Sequence, residues 1–204
     1  MTLLALIDYG AGNLHSVHNA LKAAGAADVV VTGDPDVVAR ADRIVLPGVG
    51  AFAHCMGSLS AIDSMVEALE ARVLRGAVPF LGICVGMQLL ADAGVEHGTT
   101  QGLGWIGGTV RAIEPRPDIK VPHMGWNDVQ LDTMHPVLAA GEAYYLHGYQ
   151  FEAAKASDVL ATTNHGGVLA AAIGRDNILG VQFHPEKSQA YGINFLKRFL
   201  EWKP

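Results

Sequence analysis

The sequence predicts an α/β fold: an open, mostly parallel twisted sheet with helices on both faces and antiparallel strands added in the C-terminal half. Three observations predict it. In the first half, β-rich runs alternate with helical patterns. Residues 95–135 break that rhythm with Gly, Pro and His. Short strand-like runs then follow one another until a helical pattern closes the chain at 188–202.

The run 3-LLALI-7, stopped by Asp8, reads as a first strand over 3–8 and not as a secretory leader, having no basic residues before it. Next, 14-LHSVHNALKAAG-25 is a helix with Asn13 as N-cap and Gly25 as its stop. Further strands are expected at 28–32 (DVVVT), 43–47 (RIVLP) and 78–83 (VPFLGI), with a helix over 61–76 before the last of them. Strand, helix, strand in repetition implies parallel pairing through right-handed crossovers. A helix-like pattern, 85-VGMQLLADAG-94, follows directly. In the second half, 143–149, 158–162, 168–173 and 178–183 are spaced like antiparallel hairpins added to the sheet. The closing helix sets Tyr191, Phe195, Leu196, Phe199 and Leu200 on one face. With no repeat, low-complexity segment or linker, a single domain over 1–204 is expected.

A chain of 204 residues, half of them hydrophobic, can bury one substantial core. The net charge of −6 and the scattered Lys and Arg give no sign of a nucleic-acid partner. No apolar run approaches the ~20 residues of a membrane span. Two cysteines in dissimilar contexts do not form a disulfide framework, and a reducing compartment, the cytoplasm, fits them.

Ligands of open α/β sheets bind beyond the carboxyl ends of the strands, and three strand ends stand out. In 82-GICVGMQ-88, Gly82 and Gly86 flank Cys84 as a sharp strand-to-helix turn requires, the geometry of a nucleophile elbow. The helix N-terminus would favour an anionic sulfur. A buried, inert thiol is the other reading. In 178-ILGVQFHPEK-187, His184 and Glu186 are two residues apart and would project to one side of a strand, a base with its orienting carboxylate; a surface His beside a solvated Glu is the alternative. In 46-LPGVGAF-52, two glycines free the backbone to present N–H groups to an anion. Cys55 reads as structural, since His54 beside it would point elsewhere on a helix, and His15 with His18 as a solvated helix face. No metal-ligand spacing occurs.

Together, the G-x-C-x-G-x-Q elbow, the downstream F-H-P-E and the upstream P-G-x-G resemble the class I glutamine amidotransferases. Within that family 8-DYGAGNL-14, 122-PHMGWN-127 and 144-YYLHGY-149 look like the glutaminase subunits of imidazole glycerol phosphate synthase, in histidine biosynthesis. The resemblance spans nearly the whole chain. It implies that Cys84 attacks the glutamine side-chain amide, His184 relays the proton and Glu186 orients His184. It also implies an oxyanion hole from backbone N–H groups of Gly48, Val49, Gly50 and Val85, and a glutamine pocket involving Gln88, Glu96, His147, Gly148, Tyr149 and Pro185. Ammonia would pass to a (β/α)8-barrel cyclase in a heterodimer, docked at Asn13, His123, Trp126, Tyr144 and Lys187; no cofactor or metal is implied. Two departures stand out: Gly148 where the family usually has Ser, and Val85 where it usually has Leu.

Sister glutaminases, serving pyridoxal phosphate synthase or anthranilate synthase, would carry the same triad. P-G-V-G in place of P-G-G-E-S speaks against the first, and the D-Y-G-A-G-N start and P-H-M-G-W-N loop against both. A stand-alone cysteine hydrolase would need neither partner nor glutamine pocket, and a non-catalytic regulatory chain would be expected to lose a triad member. The glycines of 47-PGVG-50 suggest a strand able to turn an N–H away from the oxyanion until a partner biases it.

Overall fold

The computed structural model describes residues 2–117 and 119–204. The first half winds as its apolar runs predict. β1 (Leu3–Ile7) leads to α1 (Leu14–Ala23), where Asn13 accepts from the Ser16 N–H at 3.3 Å, a cap worth about 1 kcal/mol. β2 (Asp28–Thr32), the short α2 (Pro35–Val38) and β3 (Arg43–Gly48) follow. α3 (Phe52–Ser60) and α4 (Met65–Glu70) then lead to β4 (Phe80–Cys84). β3 and β4 are buried along their whole length, which is why they read as apolar runs, save for Arg43 at the start of β3, whose guanidinium donates to the Trp202 carbonyl at 2.8 Å.

The helix expected over 61–76 starts late, at Met65, and its last turn, Ala71–Arg75, widens into a π turn. The helix-like pattern 85–94 is mostly not helical. α5 (Val85–Gln88) is a single turn, because the carbonyls of Leu89, Leu90 and Ala91 are taken by the N–H groups of Leu103, Ile106 and Gly104. Those long-range bonds occupy acceptors a continuing helix would need.

The Gly- and His-rich stretch holds two strands too short for their pattern to show, β5 (Ala93–Val95) and β6 (Thr99–Gln101), together with β7 (Gly108–Ala112) and the longer β8 (His123–Leu131). β9 (Gly141–His147) ends where the chain crosses, at Gly148, into β10 (Tyr149–Ala153). β11 (Val159–Asn164), β12 (Val168–Arg175), β13 (Ile178–Val181) and α6 (Gln189–Glu201) complete the chain. A nine-stranded sheet runs β2-β1-β3-β4-β13-β12-β11-β8-β9, and a four-stranded sheet runs β10-β7-β5-β6.

One strand departs from the hairpin expectation. β13 lies parallel to β4, with Leu179 opposite Leu81 and Val181 opposite Ile83, while β12, β11, β8 and β9 add antiparallel strands beyond it. The parallel core is therefore β2-β1-β3-β4-β13, and the ends of β3, β4 and β13 sit side by side. Among the described residues no helix is long and apolar enough to cross a membrane.

Candidate active site

At the end of β4 the backbone of Cys84 takes φ 54° and ψ −111° before α5 begins. A non-glycine residue with positive φ is uncommon and marks a backbone held by its surroundings. Both flanking glycines are required by contact: a Cβ at Gly82 would lie 2.5 Å from the Gly86 carbonyl oxygen, and one at Gly86 would lie 1.9 Å from the Leu46 carbonyl oxygen. The elbow thus wedges α5 against β3. Cys84 is buried, its sulfur 3.8 Å from the Leu146 carbonyl and 3.7 Å from the Gln182 amide nitrogen.

His184 follows β13, the parallel neighbour of β4, and its N–H donates to the Tyr144 carbonyl at 2.8 Å. Glu186 reaches it from a 3-10 turn, Pro185–Lys187, not from an extended strand, so the two-residue strand period is not what brings them together. The His184 Nδ1 to Glu186 Oε1 distance is 2.8 Å, with both side chains buried. Nδ1 therefore carries the proton toward the carboxylate, and the buried Nε2 is left to the thiol. Burial opposes charge on His184, but Cys84 and Glu186 outweigh it and push the imidazole up to about 10. Ser188, which no sequence pattern singles out, ties this turn down: its hydroxyl donates to the His184 carbonyl at 2.7 Å and accepts from the Tyr144 N–H at 2.9 Å.

Gly48 is the register partner of Cys84 across β3 and β4. The carbonyls around it are anchored: Tyr9 donates to Pro47 O at 2.7 Å and Cys55 to Val49 O at 3.4 Å. Burial raises the Cys55 thiol and the Tyr9 phenol, keeping both as proton donors. Cys55 is thus a hydrogen-bonded core thiol on α3 and a poor nucleophile. Val49 and Gly50 line the cavity mouth, and Val85, first residue of α5, has an N–H without an intrahelical acceptor.

Cys84 and His184 open into a cavity of about 320 Å³ lined also by Gln88, Glu96, Gly148, Tyr149 and Lys187. Gln88 donates to the Tyr149 carbonyl at 3.1 Å, and Glu96 accepts from the Phe52 N–H at 2.8 Å. Pro185 does not line the cavity; it opens the 3-10 turn, and its carbonyl lies where a Cβ at Gly192 of α6 would stand. The expected 147-HGY-149 segment lines it throughout, His147 included, and Leu146 and Pro122 line it without a pocket role having been read for them from sequence. A Cβ at Gly148 would meet only Val121, at 3.8 Å, so the absent side chain leaves room.

The model of the glutamine amidotransferase class-I family matches residues 5–202. The chain belongs to the class I glutamine amidotransferases. Among curated relatives of this amidotransferase is the imidazole glycerol phosphate synthase subunit HisH of Zymomonas mobilis, 64% identical over 98% of this chain and 96% of that one. The HisH protein of Rhodospirillum rubrum is 55% identical over 98% and 99%. Solved structures share the fold at low identity. One described as a glutamine amidotransferase has a TM-score of 0.75 at 18% identity, covering 97% of both chains. A chain of PurLQS from Thermotoga maritima has a TM-score of 0.70 at 18%, covering 98% of this chain and 97% of that one.

Beside the mouth of the amidotransferase site, β8 and β9 pair Met124 with Leu146 and Trp126 with Tyr144. Met124, Trp126 and Leu146 are exposed, and Lys187 lies 5.9 Å over the Tyr144 ring. Asn13 is exposed at the start of α1. His123 departs from the role expected of it: it is buried, stacked between Tyr145 and His165, and cannot meet a partner's surface. His147 Nδ1 donates to the Tyr149 carbonyl at 2.8 Å, so its Nε2 accepts from His123 Nδ1 at 3.0 Å, and His123 Nε2 accepts from Asn127 at 3.0 Å. Burial lowers His147 to about 3 and His123 to about 4, which keeps this row neutral. No local pattern signals it, because its members lie on three separate segments.

Proposed function

We propose that this amidotransferase is the glutaminase subunit of an imidazole glycerol phosphate synthase, hydrolysing L-glutamine and passing ammonia to a cyclase. The observation that carries the reading is Cys84 on a strained elbow, beside the buried His184–Glu186 pair on the adjacent parallel strand. The Cys84 sulfur attacks the side-chain amide carbon of glutamine. The oxyanion that forms takes hydrogen bonds from the N–H groups of Gly48, Val49, Gly50 and Val85. His184, held protonated by its partners, gives its proton to the leaving ammonia, then draws one from the water that hydrolyses the glutamyl thioester. Glu186 orients the ring and stabilises the imidazolium throughout.

Gln88, Glu96, Gly148 and Tyr149 hold the glutamine; with no side chain at Gly148, only its backbone takes part. The strong similarity to HisH proteins along nearly their full length supports the choice of acceptor enzyme. The cyclase, a (β/α)8 barrel, docks on the apolar face of β8 and β9 at Met124, Trp126, Tyr144 and Leu146, with Asn13 and Lys187 at the rim. The test is glutamine hydrolysis by the chain alone and with its cognate cyclase. Low activity alone, rising strongly in the complex, is expected. Full activity without a partner would contradict the assignment.

A further inference from the structure

Gln182 lies beside the reacting sulfur and has no part in the steps above. It is fully buried in the apolar run that precedes His184. A buried amide is costly unless its oxygen and nitrogen are both bonded, so an aliphatic side chain would suit a merely structural role here.

The orientation of Gln182 is dictated by a backbone carbonyl that reaches it through a second amide. The Tyr149 carbonyl can only accept, so the Gln88 side chain must turn its NH2 toward it, at 3.1 Å. That same Gln88 nitrogen lies 3.1 Å from the Gln182 side chain, which must therefore present its oxygen. The Gln182 NH2 is left pointing at the Cys84 sulfur, 3.7 Å away. Sulfur is a weak acceptor as a thiol and a much better one as a thiolate. An N–H held there stabilises the ionised nucleophile more than the neutral one.

We infer that Gln182 is a catalytic residue of the glutaminase centre, donating its amide N–H to the Cys84 thiolate in an orientation set by Tyr149 through Gln88. Gln88 also lines the cavity, so glutamine bound there acts on the same row of amides that ends at the sulfur. The inference rests on Cys84 being the nucleophile, as proposed above.

The experiment uses the complex with the cyclase and two variants, Gln182→Leu and Gln182→Glu. The second keeps the oxygen that Gln88 requires and the shape of the side chain, but replaces the N–H with an acceptor. Iodoacetamide alkylation of Cys84, located by peptide mass mapping, is followed against pH alongside glutamine- and ammonia-dependent synthesis. Alkylation near neutral pH is expected to fall about tenfold in Gln182→Leu and further in Gln182→Glu, converging with the parent at high pH where the sulfur ionises unaided. Glutamine-dependent kcat should fall in step, with KM little changed and ammonia-dependent synthesis intact. Alkylation profiles that superimpose on the parent, or that fall equally at all pH values, overturn the inference. If Gln182→Leu does not fold, Gln182→Glu decides alone. Retained glutamine-dependent synthesis in Cys84→Ala would instead sink the assignment of the nucleophile, a failure separable from that of Gln182.

Discussion

Replacing Gly86 with alanine sets two magnitudes against each other. Within a helix, Gly→Ala contributes up to ~1 kcal/mol of stability, and α5 is one turn long, so the gain here is smaller. Against it, the new Cβ would stand 1.9 Å from the Leu46 carbonyl oxygen and 2.9 Å from its carbon. Ordinary contact begins near 3.4 Å, so α5 and β3 must part by about 1.5 Å, backbone from backbone, with no flexible side chain to yield. Overpacking of that kind costs ~3 kcal/mol, and the clash wins by about 2 kcal/mol. The displaced pieces carry Cys84 on one side and 47-PGVG-50 on the other, and a misplacement of ~1 Å can cost on the order of 10²-fold in rate. Urea denaturation reads the first effect. Glutamine- against ammonia-dependent synthesis in the cyclase complex reads the second, and only the glutamine arm should fall. A Gly86→Ala chain within about 0.5 kcal/mol of the parent and equally active with glutamine would refute the close packing of the elbow against β3.

Four further outcomes are expected. Because the Cys84–Glu186 environment holds His184 up at about 10, its proton is in place below that pH and lost above it, so glutaminase activity should hold through pH 8 to 9 and fall near 10. Glu186→Gln removes one raising partner, so the alkaline fall should move to lower pH and kcat drop on the order of 10²- to 10⁴-fold; an unmoved limb would contradict the pairing. Cys55→Ala frees the Val49 carbonyl, costing about 1 kcal/mol in denaturant unfolding while leaving covalent labelling of Cys84 intact; loss of that labelling would make Cys55 the nucleophile. Trp126→Ala, at a half-exposed ring edge-on to Tyr144, should weaken cyclase binding about 30-fold, some 2 kcal/mol, by titration calorimetry without changing the fold; unchanged affinity would move the interface elsewhere.

Much of the parallel core was legible because strands buried on both faces must be apolar nearly throughout, as 44-IVLP-47 and 78-VPFLGI-83 are. The elbow was legible for a related reason: only a residue without a side chain fits two positions before and two after Cys84, and Gly82 and Gly86 stand there. What escaped was set by distant partners. The pattern 85–94 lost its helix to carbonyl acceptors claimed by residues 103–106. β5 and β6 are too short to show a period. His123, expected on the docking surface, is enclosed instead by His147, Asn127 and His165. Gln182 did leave a signal, a lone amide inside an apolar run, whose meaning appears only when Gln88 and Cys84 come into reach.

The central claim is that Cys84 carries the glutamyl group. It is tested most directly by rapid acid quench of the cyclase complex during turnover with glutamine, followed by peptide mass analysis. The account predicts one glutamyl addition on the peptide containing Cys84, absent with ammonia as the nitrogen source and absent in Cys84→Ala. A glutamyl addition on the Cys55 peptide, or steady glutamine turnover by the Cys84→Ala chain, would contradict it.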